Sequence, residues 1–191
     1  HEHLCYFSLT ALDRLFRSQD LEIVDVERLD IHGGSIRIQA MPLGAESVRE
    51  SVRSLLAEES EWVDNAASYA NFGSRVENLR EELVGMIEKL KSEGKRVAVY
   101  GASAKGSTLL NFFGIGKDQI EYVVDRSTVK QGQYTPGTHL KIFDPDHLTE
   151  DQPDYCLLLT WNFAKEILQQ QQQFRDQGGQ FIIPIPEVRV A

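Results

Sequence analysis

The chain has 191 residues, 20 Lys and Arg against 29 Asp and Glu, a formal charge of −9 and 41% hydrophobic residues. That length buries a core in one or two domains, and the composition excludes wholesale disorder. The acidic balance argues against a nucleic-acid partner, and no apolar run reaches the ~18–20 residues of a membrane span. Cys5 and Cys156 form neither a CxxC clip nor a disulfide framework, so a soluble, cytoplasmic protein in a reducing compartment is expected.

The charge is uneven. Residues 46–93 hold eleven acids and six bases, and therefore −5 of the −9. This is the pattern of a solvated helical layer between two more neutral blocks. In the first block, Leu9, Leu12, Leu15 and Phe16 recur at helical spacing behind Ser8, a suitable N-cap. Leu21–Leu29 reads as a strand. Ile36, Ile38 and Ala40 alternate with Arg37 and Gln39 as a second strand, antiparallel to the first across the Asp30–Gly34 turn. One helix and two strands bury little alone.

In the middle block, Val48, Val52, Leu55 and Leu56 mark a helix. Trp62, Ala66, Tyr69, Phe72, Val76, Leu79, Leu83, Met86 and Leu90 then step by three or four as one unbroken stripe ending at Gly94. Packing on a domain explains that stripe better than a coiled-coil seam.

The third block alternates strands with helices. Arg96–Tyr100, Ile120–Val124, Lys141–Phe143, Tyr155–Leu159 and Phe181–Ile183 read as strands. Gly101–Gly106 reads as a glycine turn, and Ser107–Phe113 and Phe163–Gln177 as helices. This order predicts an α/β fold with a parallel sheet, and places the five-glutamine run Gln169–Gln173 on a helix surface.

Parallel sheets bind ligands beyond the carboxyl ends of their strands. That edge collects Gly101-Ala102-Ser103-Ala104-Lys105-Gly106, Asp125-Arg126 and Thr160-Trp161-Asn162. The glycine turn departs from a dinucleotide fingerprint at Ser103 and from a Walker A because Lys105 precedes Gly106. A turn feeding a helix N-terminus still offers free N–H groups to phosphate. Lys105, Ser107 and Thr108 would add charge and donors, and Asp125 is placed for a sugar hydroxyl. A turn needed only for tight strand–helix packing explains the glycines equally well. Arg126, Lys130 and the glycine-bearing loop to Thr138 add two cations nearby.

At the N-terminus, His1-Glu2-His3 admits a tag remnant, a metal clip or a catalytic pair, and the residues alone leave the choice open. Histidines at i and i+2 are poor zinc spacing, so no metal is expected in this chain. A near-neutral imidazole beside a carboxylate suits a general base.

Taken together, the run His1–Ser8, the turn Ile31–Ser35, the run Tyr100–Gly106, Asp125-Arg126-Ser127, Lys130-Gln131-Gly132, Pro136-Gly137-Thr138 and Pro184–Glu187 carry a family likeness. From His1 to Ala191 the chain resembles the C-terminal part of S-adenosylmethionine-dependent C-methyltransferases acting on nucleotide-linked keto-deoxysugars. The resemblance implies that residues 1–45 are the tail of a methyltransferase domain and residues 46–93 a helical connector. Residues 94–191 would form a Rossmann-like domain that binds no S-adenosylmethionine. It also implies an upstream zinc segment and sulfonium-binding loop outside this chain, which would then be an inactive fragment of a longer enzyme.

By the same likeness His3 is the general base, Glu2 an active-site carboxylate, and His32 a further lining residue. Cys5 stands where the family has serine, and the family's tyrosine would precede His1. The implied ligand, a nucleotide diphosphate sugar carried on dTDP, would meet Gly101, Lys105, Gly106, Ser107, Asp125, Arg126, Lys130 and Trp161. Two other functions compete: a non-catalytic Rossmann-like nucleotide- or CoA-binding module, and an NAD-dependent oxidoreductase, the latter weakened by Ser103. The first block, short of a sheet to join, is expected either to dock on the long helix or to pair with another copy through an exposed strand edge.

Overall fold

The structure is a computed structural model describing residues 5–31 and 34–191. It divides into two compact units, His1–Ser74 and Arg75–Ala191.

In the first unit, α1 (Leu9–Arg17) starts where Ser8 Oγ accepts from Ala11 N at 3.1 Å. Glu59, buried near the end of α2 (Glu50–Ser60), completes the cap from outside. Its carboxylate accepts from Leu9 N at 2.8 Å and from Thr10 N and Oγ1, each at 2.6 Å. A negative charge at a helix N-terminus answers both the free amides and the helix dipole. β1 (Leu21–Leu29) and β2 (Ser35–Pro42) pair antiparallel, as expected, with an irregularity between Ile23 and Asp25. Leu9, Ile23, Val26, Val52 and Leu55 make the core.

The stripe expected from Trp62 onward is broken. Residues 61–64 form a turn, and α3 (Ala66–Ser92) begins only after Asn65, whose Oδ1 accepts from Ala67 N at 3.0 Å. Asn65 is thus an N-cap, and Trp62 belongs to the turn before it. The boundary between the units falls within α3, at Ser74–Arg75.

The second unit is built on a six-stranded sheet: β3 (Val97–Tyr100), β4 (Val123–Val124), β5 (Ile142–Phe143), β6 (Tyr155–Leu158), β7 (Gln180–Ile183) and β8 (Arg189–Val190). Its order is β5-β4-β3-β6-β7-β8, parallel throughout except for β8, which pairs antiparallel with β7. Side chains alternate between the sheet's faces. Val97, Val99, Val123, Leu157 and Ile182 pack with Leu83, Ile87, Leu90 and α4 (Ala104–Phe113). Ala98, Tyr100, Val124, Cys156, Leu158 and Phe181 pack with Leu148, Ile167 and Phe174. Those last three lie on α5 (His147–Asp151), α6 (Ala164–Gln170) and α7 (Gln172–Asp176). The unit is α/β, with both sheet faces covered.

Three local expectations need correction. α4 begins at Ala104, not Ser107, because Ser103 Oγ accepts from Gly106 N at 3.1 Å and caps the helix earlier. Gly106 is therefore in the helix and not in the turn. The helix expected over Phe163–Gln177 is a 3₁₀ turn (Trp161–Phe163) followed by α6 and α7, and the glutamine run spans their junction at Gln171. The strand expected from Ile120 shortens to Val123–Val124. α5 and β8 were not expected at all.

Candidate functional site at the carboxyl edge of the sheet

Gly101 follows β3 with φ +102°, a region that L side chains rarely adopt. A Cβ there would also stand 2.6 Å from Thr160 Cγ2, just past β6. This glycine lets the ends of two neighbouring strands approach closely. Gly106 has a different reason: a Cβ there would meet Leu159 Cβ at 2.7 Å, so its bareness seats α4 against the sheet. Packing alone explains Gly106.

Asp125, at the end of β4, braces the glycine turn. Its Oδ2 accepts from Ala102 N at 2.7 Å and its Oδ1 from Ser127 N at 2.8 Å. Lys130 Nζ donates to Ala102 O at 2.8 Å and lies 3.7 Å from Asp125 Oδ2. Asp125 and Lys130 thus hold the turn as a pair, and the carboxylate reaches a sugar hydroxyl only with lone pairs left over. Thr108 Oγ1 is turned to Ala104 O at 3.1 Å. Ser107 lies in the first turn of α4, where its N–H bonds Ser103 O at 2.9 Å.

Lys105 Nζ stands 5.3 Å from the centre of the Trp161 ring, within cation–π range. Among the described residues it makes no ion pair, whereas Arg126 Nη1 meets Glu166 Oε1 at 3.3 Å and Gln170 Oε1 at 3.4 Å. The first-turn amides of Ala104 and Lys105 have no intrahelical acceptor. Together with Lys105 they leave uncompensated positive charge on the α4 side of the edge.

On the α6 side of the same edge is a cavity of about 240 Å³, lined by Tyr100, Gly101, Arg126, Thr160, Phe163 and Ile167 among others. The hydroxyls of Tyr100 and Thr160 are buried without a hydrogen-bond partner among the described residues. Burial pushes the Tyr100 phenol up to about 12, so it is neutral at physiological pH. Sequence reasoning missed Tyr100, Phe163 and Glu166. The available signal was a hydroxyl on the last residue of a strand, at the edge where such sheets bind ligands.

Of the expected site residues, the structure therefore gathers Gly101, Asp125, Arg126 and Lys130 at one edge and sets Lys105 against Trp161. Glu2, His3 and His32 lie outside the described residues. The first unit carries a wider groove of about 710 Å³ between Tyr6, Phe7, Arg28, Ile36, Trp62 and Tyr69. Among the described residues no cluster of three His, Cys, Asp or Glu could hold a metal, and no helix is long and apolar enough to cross a membrane.

Residues 30–186 match the C-methyltransferase C-terminal domain, and the chain belongs to that family. It is 43% identical over 192 residues to the C-methyltransferase NovU of Streptomyces niveus. That match takes in all of this chain and 46% of the relative, so the chain spans about half the relative's length.

Proposed function

We propose that the chain is the C-terminal part of an S-adenosylmethionine-dependent C-methyltransferase acting on a nucleotide-linked keto-deoxysugar, and that its second unit binds the nucleotide diphosphate. Family membership supports the enzyme class. The β5-β4-β3-β6-β7-β8 order supports a Rossmann-like reading, because the chain reverses direction across the sheet between β3 and β6. Ligands of such sheets lie at that reversal, here at Gly101 and Thr160. The observation that carries the site is Lys105, a cation at the start of α4 with no ion pair among the described residues, in a chain of net charge −9. Residues 1–45, 46–93 and 94–191 would then be a methyltransferase tail, a connector and the nucleotide-binding domain.

His3 takes the proton α to the sugar ketone on an imidazole nitrogen, and Glu2 orients the ring. The resulting enolate carbon is a competent nucleophile where the ketone was not. S-adenosylmethionine supplies an electrophilic methyl group. Asp125, the acidic residue placed for a sugar hydroxyl, is already engaged by two backbone amides. The family likeness, and not any absence in this chain, assigns the sulfonium and the zinc to the part of the relative's length that this chain does not cover.

Calorimetric titration with dTDP tests the diphosphate site. Lys105→Ala is expected to weaken binding by about 1.5–3 kcal/mol, the worth of a charge-assisted hydrogen bond, while leaving the melting temperature unchanged. Absence of dTDP binding to the wild-type chain at millimolar ligand, or binding indifferent to Lys105→Ala, refutes the site.

A further inference from the structure

Among the described residues Glu59 is the one charged side chain that is buried, at 5% exposure. A buried carboxylate is costly unless hydrogen bonds satisfy it, and an apolar residue in its place is often no less stable. Its place on α2 adds to the cost, because the last turn of that helix holds no base and a negative charge there opposes the helix dipole. Nor does α1 need it for a cap. Ser8 Oγ already accepts from Ala11 N, and Ser8 O accepts from Leu12 N, each at 3.1 Å. The Glu59 carboxylate nevertheless crosses to the opening residues of α1, where it accepts from Leu9 N, from Thr10 N and from Thr10 Oγ1. With Ser8 it supplies acceptors for the amides of Leu9, Thr10 and Ala11, so the first turn of α1 is fixed against α2.

That first turn borders the groove of about 710 Å³ in this unit, which Tyr6, Phe7, Ser8, Ala11 and Glu59 help to line. Cys5, Tyr6 and Phe7 belong to no helix or strand, and α1 is the first regular element after them. Ser8 stands five residues beyond His3 in the sequence and six beyond Glu2. An irregular segment takes its course from its anchor, and here the anchor is the start of α1. General-base chemistry is sensitive to that course, since misplacing a reacting group by about 1 Å costs on the order of 100-fold in rate.

We infer that Glu59 is a positioning residue for the proposed methyl transfer. By holding the first turn of α1, it sets the course of Tyr6–Ser8 along the groove and so of the segment that carries His3 and Glu2. Glu59 acts through the backbone amides of α1 and not on the reacting atoms. The inference rests on the proposed role of His3 as general base.

Methyl transfer from labelled S-adenosylmethionine to a dTDP-linked keto-deoxysugar, by the full-length enzyme that contains this chain, tests the inference. Glu59→Gln keeps the side chain's size but sets an NH2 group against one of the two amides, so the first turn must shift. It is expected to lower kcat about 10- to 100-fold, with KM for the sugar and the Kd of S-adenosylmethionine within about 2-fold of the wild type. Glu59→Asp, which keeps both acceptors on a shorter stem, should recover part of the loss. In a His3→Ala background, adding Glu59→Gln should change kcat by less than about 2-fold, because the base it positions is gone. A merely structural carboxylate would lower kcat by the same factor with and without His3, or would raise KM in step. Either result, or an unchanged kcat in Glu59→Gln, overturns the inference. Should Glu59→Gln not fold, Glu59→Asp carries the same comparison with a smaller expected loss, about 3- to 10-fold. If the wild type methylates no such sugar, or His3→Ala is as fast as the wild type, the proposed function falls and this inference with it.

Discussion

The two ends of the parallel sheet are built on opposite plans. At the amino end, the charges close on one another. Arg96 Nε meets both Glu121 oxygens at 3.0 Å, and its Nη1 donates to Asp151 O at 2.9 Å. Its Nη2 takes Glu121 Oε2 at 2.6 Å and the Asp151 carboxylate. Asp154 accepts from Arg96 N and from Lys95 Nζ, both at 2.9 Å. These bonds hold the Arg96 guanidinium and the Lys95 amine above their ordinary ranges and the Asp154 carboxyl below its own. Tyr122 belongs to this end as well: its phenol is raised by burial and by the nearby Asp151 carboxylate, and its hydroxyl, like those of Tyr100 and Thr160, is buried without a hydrogen-bond partner among the described residues. At the carboxyl end, the Tyr100 and Thr160 hydroxyls have no partner among the described residues, the first amides of α4 have no intrahelical acceptor, and the Lys105 amine lies over the Trp161 ring. The amino edge uses its charges to hold strands in register, whereas the carboxyl edge leaves Lys105 without an ion pair among the described residues.

Gly101→Ala should break the contrast most severely, because it strains the backbone at φ +102° and drives a methyl into Thr160. Together these cost about 3 kcal/mol, and chemical denaturation would show the midpoint fall. Arg96→Ala attacks the other end. Loss of its charge-assisted bonds should cost about 2 kcal/mol, discounted because the guanidinium is partly wet. Its dTDP affinity should match that of the wild type. Equal loss of stability and of affinity would mean that the two ends do not divide the work.

Alkaline titration sharpens the comparison at Tyr100. An unfolded phenol ionises near pH ~10, whereas burial holds this one to about 12. Above the unfolded value the unfolded chain releases a proton that the folded chain keeps. Stability is therefore intact below pH ~10 and falls between ~10 and ~12, by about 1.4 kcal/mol per pH unit for one group. Tyr100→Phe should flatten this part of the profile and leave the contribution of Tyr122.

Much of this was legible in the sequence, for identifiable reasons. The start of α1, the bounds of β1 and the presence of β2 follow from periodicity and from Ser8, because these elements obey local rules. The gathering of Gly101, Asp125 and Thr160 at one edge follows from glycine, aspartate and threonine at strand ends. What could not be read is tertiary in origin. Gly106 reads as a turn residue because glycine is a poor helix former, and only the approach of Leu159 reveals it as a helix residue seated on the sheet. The break at Gln171 falls between residues that all favour helix. Asn65 was readable as a cap, but the apolar stripe running through it pointed to a continuous helix. That the Tyr100 hydroxyl lacks a partner among the described residues is a property of everything around it and has no trace in the strand Val97–Tyr100.

The smallest expected effect separates packing from binding at a single side chain. Ser103 caps α4 through Gly106 N and stands where a dinucleotide fingerprint would have its second glycine. Ser103→Ala removes the cap and should cost about 1 kcal/mol of stability. Ser103→Asp restores an acceptor at the same position, and its charge favours the helix dipole, so stability should return to the wild-type level or slightly above it. That same charge would occupy the space in front of the Ala104 and Lys105 amides, where a diphosphate would lie. Ser103→Asp should therefore bind dTDP more weakly by about 1 kcal/mol at low salt, less at high salt where exposed charges are screened, while Ser103→Ala loses stability and keeps most of its affinity. If stability and affinity instead move together across the two variants, the start of α4 is a packing device only, and the anion lies elsewhere on the edge.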